Sequence, residues 1–304
     1  MTVVFYSFVA DPHAQYERLW LRSVHSLRDN GSSVPVVVCL YGDGPQQMLH
    51  AAEGLGVEIL PMGEYDDLVT ELPPRYADAI RQHRCLHKLA SLRRVHQQAP
   101  DESVIYLDCD TYLFGDVTRL AARSGEVDWL AREEPATSRC RRGHHREWVD
   151  EPLLATLAAH EGLVAVPPYN TGVFALSPGL ARALAELTDE FLWYCWRLLV
   201  GAAHGRPSAF TDDPPWLETV VAAARNYPRG LWLDYPAQNI WVFDQVALWL
   251  LLGRVPGATH APYDVGEVAQ SDEYLTPGLE PVAVHYFSAY ESAFERFLGQ
   301  RVAS

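Results

Sequence analysis

The feature that most constrains the fold lies in the middle of the chain. There Val104-Ile105-Tyr106-Leu107 runs directly into Asp108-Cys109-Asp110 and on to Thr111-Tyr112-Leu113-Phe114. A short unbroken apolar run reads as a strand buried on both faces, the kind found inside a parallel sheet. Buried strands do not accommodate bare carboxylates, so Asp108 and Asp110 are expected where the strand ends. In open α/β sheets that carboxyl edge is where ligands bind. Two carboxylates this close repel unless a cation lies between them, and a divalent metal is the usual answer. The stretch therefore predicts a metal site for a phosphate-bearing ligand.

The flanking chain supplies the rest of an α/β architecture. Residues 3–7 read as a first strand. Residues 15–28 carry a helical stripe of Leu19, Trp20, Val24 and Leu27, ended by Asn30-Gly31-Ser32-Ser33. A strand at 34–40, a helix at 45–54 and a strand at 57–60 complete a doubly wound start, with right-handed crossovers expected. Residues 76–96 read as a helix on which Arg81, Arg84 and Lys88 share one face. That face either meets solvent or faces an anion. A strand is expected at 127–131, a helix at 152–160 and a buried strand at 169–176. Asn170-Thr171-Gly172 forms a polar entry to this last strand, and its glycine would allow a ligand close to the backbone. Helices follow at 178–199, 216–224 and 240–252. The last is strongly apolar but interrupted by Asp244-Gln245, which need partners or a site. A final apolar strand at 281–287 contains His285.

Composition narrows the class. A net charge of -15 argues against broad electrostatic binding to nucleic acid. Lys88 is the only lysine, and the bias toward Arg and Ala suggests a GC-rich, bacterial genome. Five scattered cysteines with no C-x-x-C spacing predict reduced thiols in a cytoplasmic protein. No basic segment precedes the first strand, so residues 1–10 do not read as a signal peptide. Apolar runs near 191–203 and 240–253 fall short of the roughly 20 residues that span a bilayer. The basic segment 138–146, with Cys140, His144 and His145, reads as a solvated loop, a phosphate-closing loop or a metal site.

Taken together, the aspartate pair, Asn170-Thr171-Gly172-Val173, Asp244-Gln245 and Val284-His285-Tyr286-Phe287 resemble the GT-A glycosyltransferases, most of all family 8. Order and spacing match along nearly the whole chain. The resemblance implies a single GT-A domain over 1–304, α/β with a Rossmann-like, mostly parallel central sheet flanked by helices. Residues of about 1–180 would form the nucleotide-sugar half and about 181–304 the acceptor half. It implies Mn²⁺ or Mg²⁺ held by Asp108, Asp110 and His285 and bridging the donor diphosphate. Ser7, Phe8 and Val9 would hold base and ribose, and Arg84 or Lys88 would contact phosphate or sugar. Cys109, Asn170, Thr171 and Gly172 would line the donor site, with Asn170 on the sugar. Asp244 would contact sugar hydroxyls, and Gln245 would sit near the anomeric carbon. The implied reaction moves a hexosyl or N-acetylhexosaminyl group from a UDP-sugar to a saccharide or small-molecule acceptor, with retention. A homodimer is compatible with this reading.

Two departures stand out. The Gly and Lys-Pro-Trp segment that often follows the family's late histidine is replaced by Tyr286-Phe287-Ser288-Ala289-Tyr290, and Val246 stands where a third acidic residue is common. Phosphate charge then falls to the metal, Lys88, or an Arg such as Arg141 or Arg142. An inverting enzyme would need a base, for which Asp244, Asp212 or Asp213 could serve. Trp193, Tyr194, Trp196, Trp216 and Trp232 could face an acceptor or fill the core. A dehalogenase-type phosphatase also places D-x-D after a strand. It wants Thr or Val two residues beyond the second Asp, where this chain has Tyr112. A nucleotidyltransferase would want a Gly-rich loop that Ser7-Phe8-Val9-Ala10 does not provide. A degenerate transferase acting as a binding module is the non-enzymatic alternative.

Overall fold

The computed structural model describes residues 2–10, 15–62, 87–133, 137–139, 145–147, 169–188 and 243–303. The amino-terminal elements follow the predicted alternation: β1 (Thr2–Val9), α1 (Gln15–Asp29), β2 (Val36–Tyr41), α2 (Gln46–Gly54) and β3 (Val57–Pro61). Leu19, Trp20, Val24 and Leu27 on α1 are all buried, as the stripe requires. The helix stops at Gly31, whose φ of +75° costs a glycine little, and Arg28 ties this end to the carbonyls of Ser32, Val34, Leu55 and Gly56. Side chains of β1 alternate between two layers. Val4, Tyr6 and Phe8 join the core with α1, while Ser7 faces α3 (Lys88–Gln98) and accepts a hydrogen bond from its Ser91.

α3 leads into β4 (Ser103–Leu107), the predicted apolar strand. β4 lies beside β1 in parallel register. Its other neighbour is β9 (Tyr169–Leu176), which runs antiparallel and is buried at all eight positions. β9 in turn pairs antiparallel with β6 (Trp129–Glu133), and β10 (His260–Pro262) closes the edge in parallel to β6. The large sheet thus reads β10-β6-β9-β4-β1-β2-β3, mostly parallel with one reversed strand near its middle. α4 (Pro178–Glu186), capped by the Ser177 hydroxyl, packs against α3.

A second, three-stranded sheet decides the site. β5 (Thr111–Leu113) pairs antiparallel with β12 (Ala283–His285), which pairs in parallel with β11 (Val268–Gln270). Asp108, Cys109 and Asp110 are the whole connection between β4 of the large sheet and β5 of the small one. Behind the small sheet, α6 (Glu291–Ala303) seats Phe294 in an aromatic cluster with Tyr112, Tyr274 and Tyr286. A short hairpin of β7 (Thr137–Arg139) and β8 (His145–Glu147) flanks the basic segment. α5 (Phe243–Leu252) packs on β9, where the Trp249 indole N–H donates to the Tyr169 carbonyl at 2.9 Å. The helix predicted over 76–96 is described only from Lys88, and the one predicted over 178–199 is seen as helix over Pro178–Glu186, with 189–199 outside the described residues. The predicted helices at 152–160 and 216–224 lie outside the described residues. Among the described residues no helix is long and apolar enough to cross a membrane.

Candidate metal centre

The site is built where the two sheets meet. β4 ends at Leu107, and the Asp108 N–H still reaches across to the Gly172 carbonyl on β9 at 2.7 Å. The Thr111 N–H donates to the Asp108 carbonyl at 3.1 Å, closing a tight turn that turns both aspartate side chains to one place. In the small sheet Thr111 stands opposite His285, and the Tyr286 N–H donates to the Asp110 carbonyl at 3.2 Å. The backbone therefore pins the last strand to the aspartate turn and delivers the imidazole. His285 Nε2 lies 3.3 Å from Asp110 Oδ1 and 3.7 Å from Asp108 Oδ2. One ligand atom from each of the three residues falls within 4.8 Å of the others.

Each member is held by its own partners. The Tyr106 hydroxyl donates to Asp108 Oδ1 at 2.6 Å, and Lys88 Nζ donates to Asp108 Oδ2 at 3.3 Å. The Ser288 N–H donates to Asp110 Oδ2 at 2.6 Å. Phe287, at φ +53°, supplies the strained turn that aims this N–H, and such strain concentrates at functional sites. His285 Nδ1 lies 3.1 Å from Asn170 Oδ1, which also accepts the Gly172 N–H at 2.7 Å.

The charges respond to this crowding. Burial pushes the Asp108 carboxyl above the usual carboxylate range and Asp110 adds to the rise, while Lys88, His285 and the Tyr106 hydroxyl pull against it. Burial opposes ionisation of Asp110 as well, but His285 and the Ser288 N–H outweigh it and hold that carboxyl low. Burial disfavours a charged imidazole, yet the two carboxylates raise His285 above its ordinary value. Two carboxylates that pull a buried histidine toward its cationic form are a site short of positive charge. The donor set of two carboxylates and one imidazole could hold a metal ion.

No family model matches this chain, and no curated protein matches it in sequence. Solved structures do. Mouse xyloside xylosyltransferase 1 in its apo form superposes over 95% of this chain and 99% of its own, with a TM-score of 0.51 and 13% identity. An active-site mutant of LgtC superposes over 95% of this chain and 88% of its own, with a TM-score of 0.51 and 16% identity. The fold is that of the GT-A glycosyltransferases.

Within the GT-A fold the other predicted site residues are distributed unevenly. Ser7 and Val9 are partly buried at the carboxyl end of β1, while the Phe8 side chain is core, edge-on to Trp20. Cys109 is a free thiol, partly buried between the aspartates, and packs against the core. Cys39 is likewise a free thiol. Asn170, Thr171 and Gly172 are strand residues of β9, all buried. Asp244 and Gln245 begin α5. Gln245 is partly buried, and the Asp244 side chain lies outside the described residues. Arg81, Arg84, Cys140, Arg141, Arg142, His144, Trp193, Tyr194, Trp196, Asp212, Asp213, Trp216 and Trp232 also lie outside them.

Lys88 is the least expected placement. Its ammonium turns inward and donates to Asp108 Oδ2, the Thr171 carbonyl at 3.0 Å and the Thr171 hydroxyl at 3.2 Å. It also sits 5.1 Å from the centre of the Tyr106 ring. These contacts match the three donors of an ammonium. Lys88→Met is expected to cost about 2–3 kcal/mol, because it removes the ammonium's hydrogen bonds to Thr171 and its ion pair with Asp108. Partial exposure of Asp108 keeps the loss below that of a fully buried pair. A urea melt should show a lower midpoint at unchanged slope, and an unshifted midpoint would refute the assignment.

Sequence reading passed over Tyr106 as a site residue because an apolar run around it reads as core, and its ring is core: it stacks on Phe174 at 4.9 Å and meets Phe5 edge-on at 5.0 Å. The period-2 rule could have found it. Residues 106 and 108 share a face, so a tyrosine two before a strand-end aspartate can reach it.

Proposed function

We propose that this chain is a metal-dependent glycosyltransferase that moves a sugar from a UDP-sugar to an acceptor hydroxyl, with retention at the anomeric carbon. The observation that carries the reading is the Asp108–Asp110–His285 triad at the carboxyl edge of a GT-A sheet, where open α/β sheets bind ligands. The mouse protein named above is a xylosyltransferase, which supports the same class of chemistry.

Asp108, Asp110 and His285 would hold Mn²⁺ or Mg²⁺. When bound, such an ion neutralises the charge that develops on the diphosphate leaving group without a proton transfer. The protein supplies the rest. Tyr106, Lys88 and the Ser288 N–H lock the carboxylates before substrate arrives, so little reorganisation remains. We assign the remaining phosphate or sugar contacts to Arg84 or Lys88, the latter already held beside the site by Asp108 and Thr171. We place base and ribose against Ser7, Val9 and the Phe8 backbone, and sugar hydroxyls against Asp244. Gln245, an amide with no nucleophilic oxygen anion, is assigned to positive charge at the anomeric carbon, which accords with retention. The transferred group is a hexosyl or N-acetylhexosaminyl unit, and the acceptor is a saccharide or small molecule.

Calorimetric titration with UDP tests the core of this reading. UDP should bind with Mn²⁺ present and lose at least tenfold in affinity with EDTA. Equal binding in EDTA, or no binding under either condition, would sink it.

A further inference from the structure

The structure assigns Asn170 to a positioning role: its side-chain oxygen, cradled by Gly172, holds His285 in the tautomer that presents Nε2 to the metal. The inference rests on the metal reading of Asp108, Asp110 and His285.

Hydrogen positions usually have to be assumed, but here a backbone donor settles them. The Gly172 N–H can only donate, and its partner 2.7 Å away is one end of the Asn170 amide. That end must be the oxygen, which fixes the amide's orientation. The same oxygen lies 3.1 Å from His285 Nδ1. An amide oxygen only accepts, so Nδ1 carries a proton. In a neutral imidazole the lone pair is then on Nε2, the atom 3.3 Å from Asp110 and 3.7 Å from Asp108. Metal-binding histidines depend on this kind of outer hydrogen bond to set ring orientation and tautomer.

The turn is shaped for the ring as well as bonded to it. A β carbon on Gly172 would lie 2.6 Å from His285 Nε2 and closer still to Nδ1 and Cε1. The group that approaches the Gly172 backbone is therefore the imidazole. Asn170 and His285 are each only 4% exposed, so water cannot readily replace either hydrogen bond. Asn170 Oδ1 is thus committed to the protein.

Mn²⁺ binding measured without any nucleotide or sugar separates this role from a donor contact. Asn170→Ala should weaken Mn²⁺ at least tenfold, in the range typical for outer partners of metal ligands. Asn170→Asp keeps an acceptor for both N–H groups and should bind at least as tightly as wild type. Unchanged Mn²⁺ affinity in Asn170→Ala, or equal loss in both variants, would overturn the assignment. Wild-type protein that binds no Mn²⁺ would instead overturn the metal reading beneath it. If Asn170→Ala does not fold, long-range ¹H–¹⁵N spectra of wild type with Mg²⁺ decide. His285 should carry its proton on Nδ1, and a proton on Nε2 alone would refute the proposal.

Discussion

Gly172→Ala should lose Mn²⁺ binding by more than about 100-fold and lose donor hydrolysis with it. The added methyl enters space occupied by the His285 ring, against Cε1, Nδ1 and Nε2. The ring cannot simply lean away. Its backbone is bound into β12 opposite Thr111, and the Phe287 ring lies tilted against the imidazole with ring centres 4.4 Å apart. Either the imidazole leaves the triad or β9 shifts from β4, and β4–β9 register runs through Leu107 and Val173 immediately beside the site. Overpacking of this kind costs about 1–3 kcal/mol, so the variant should fold with a lowered melting temperature. Calorimetry with Mn²⁺ beside a thermal melt checks both halves. A folded Gly172→Ala that binds Mn²⁺ like wild type would contradict the packing argument, since no other residue changes the clearance around His285.

Asp110→Asn should reduce sugar transfer and donor hydrolysis by about 10²–10⁴-fold while leaving the fold intact. A lost ligand forfeits several kcal/mol of charge stabilisation, and each 1.36 kcal/mol is a factor of ten in rate. The amide can keep its oxygen on the Ser288 N–H, which Asp110 Oδ2 accepts at 2.6 Å. Its NH₂ then faces His285 Nε2, where Asp110 Oδ1 now lies at 3.3 Å, and a donor there repels a cation. Melting in EDTA should stay within about 4 °C of wild type, the shift expected from about 1 kcal/mol at this size. Undiminished turnover in this variant would remove Asp110 from the site.

Much of the scaffold is legible in the sequence. The α1 stripe, the apolar strands β1 to β3 and the end of β4 at Asp108 follow from period and burial, which are local properties of the chain. The aspartate pair belongs to the same class: two charges after a buried run must sit at a sheet edge. His285 was different. Nothing local distinguishes a histidine after a strand; the aspartate pair's want of a third ligand raised it as a candidate, and the resemblance to a family singled it out. The contacts of Lys88 with Asp108 and Thr171 were not legible, because a basic helix face says nothing about which way a long side chain turns. Tyr106 was hidden by its own hydrophobic neighbours.

By itself, then, the sequence determined the amino-terminal alternation of strand and helix, the apolar strands β4 and β9, and where buried carboxylates must surface, since hydrophobic period and desolvation act residue by residue. Tertiary structure alone decided that β9 runs antiparallel between β4 and β6, because eight uniformly buried residues carry no mark of direction. It alone decided that the aspartate turn bridges two sheets, and that Gly172 and Asn170 surround the ring of His285. Those are contacts between distant stretches of chain, and their energies appear only when folding brings the surfaces together.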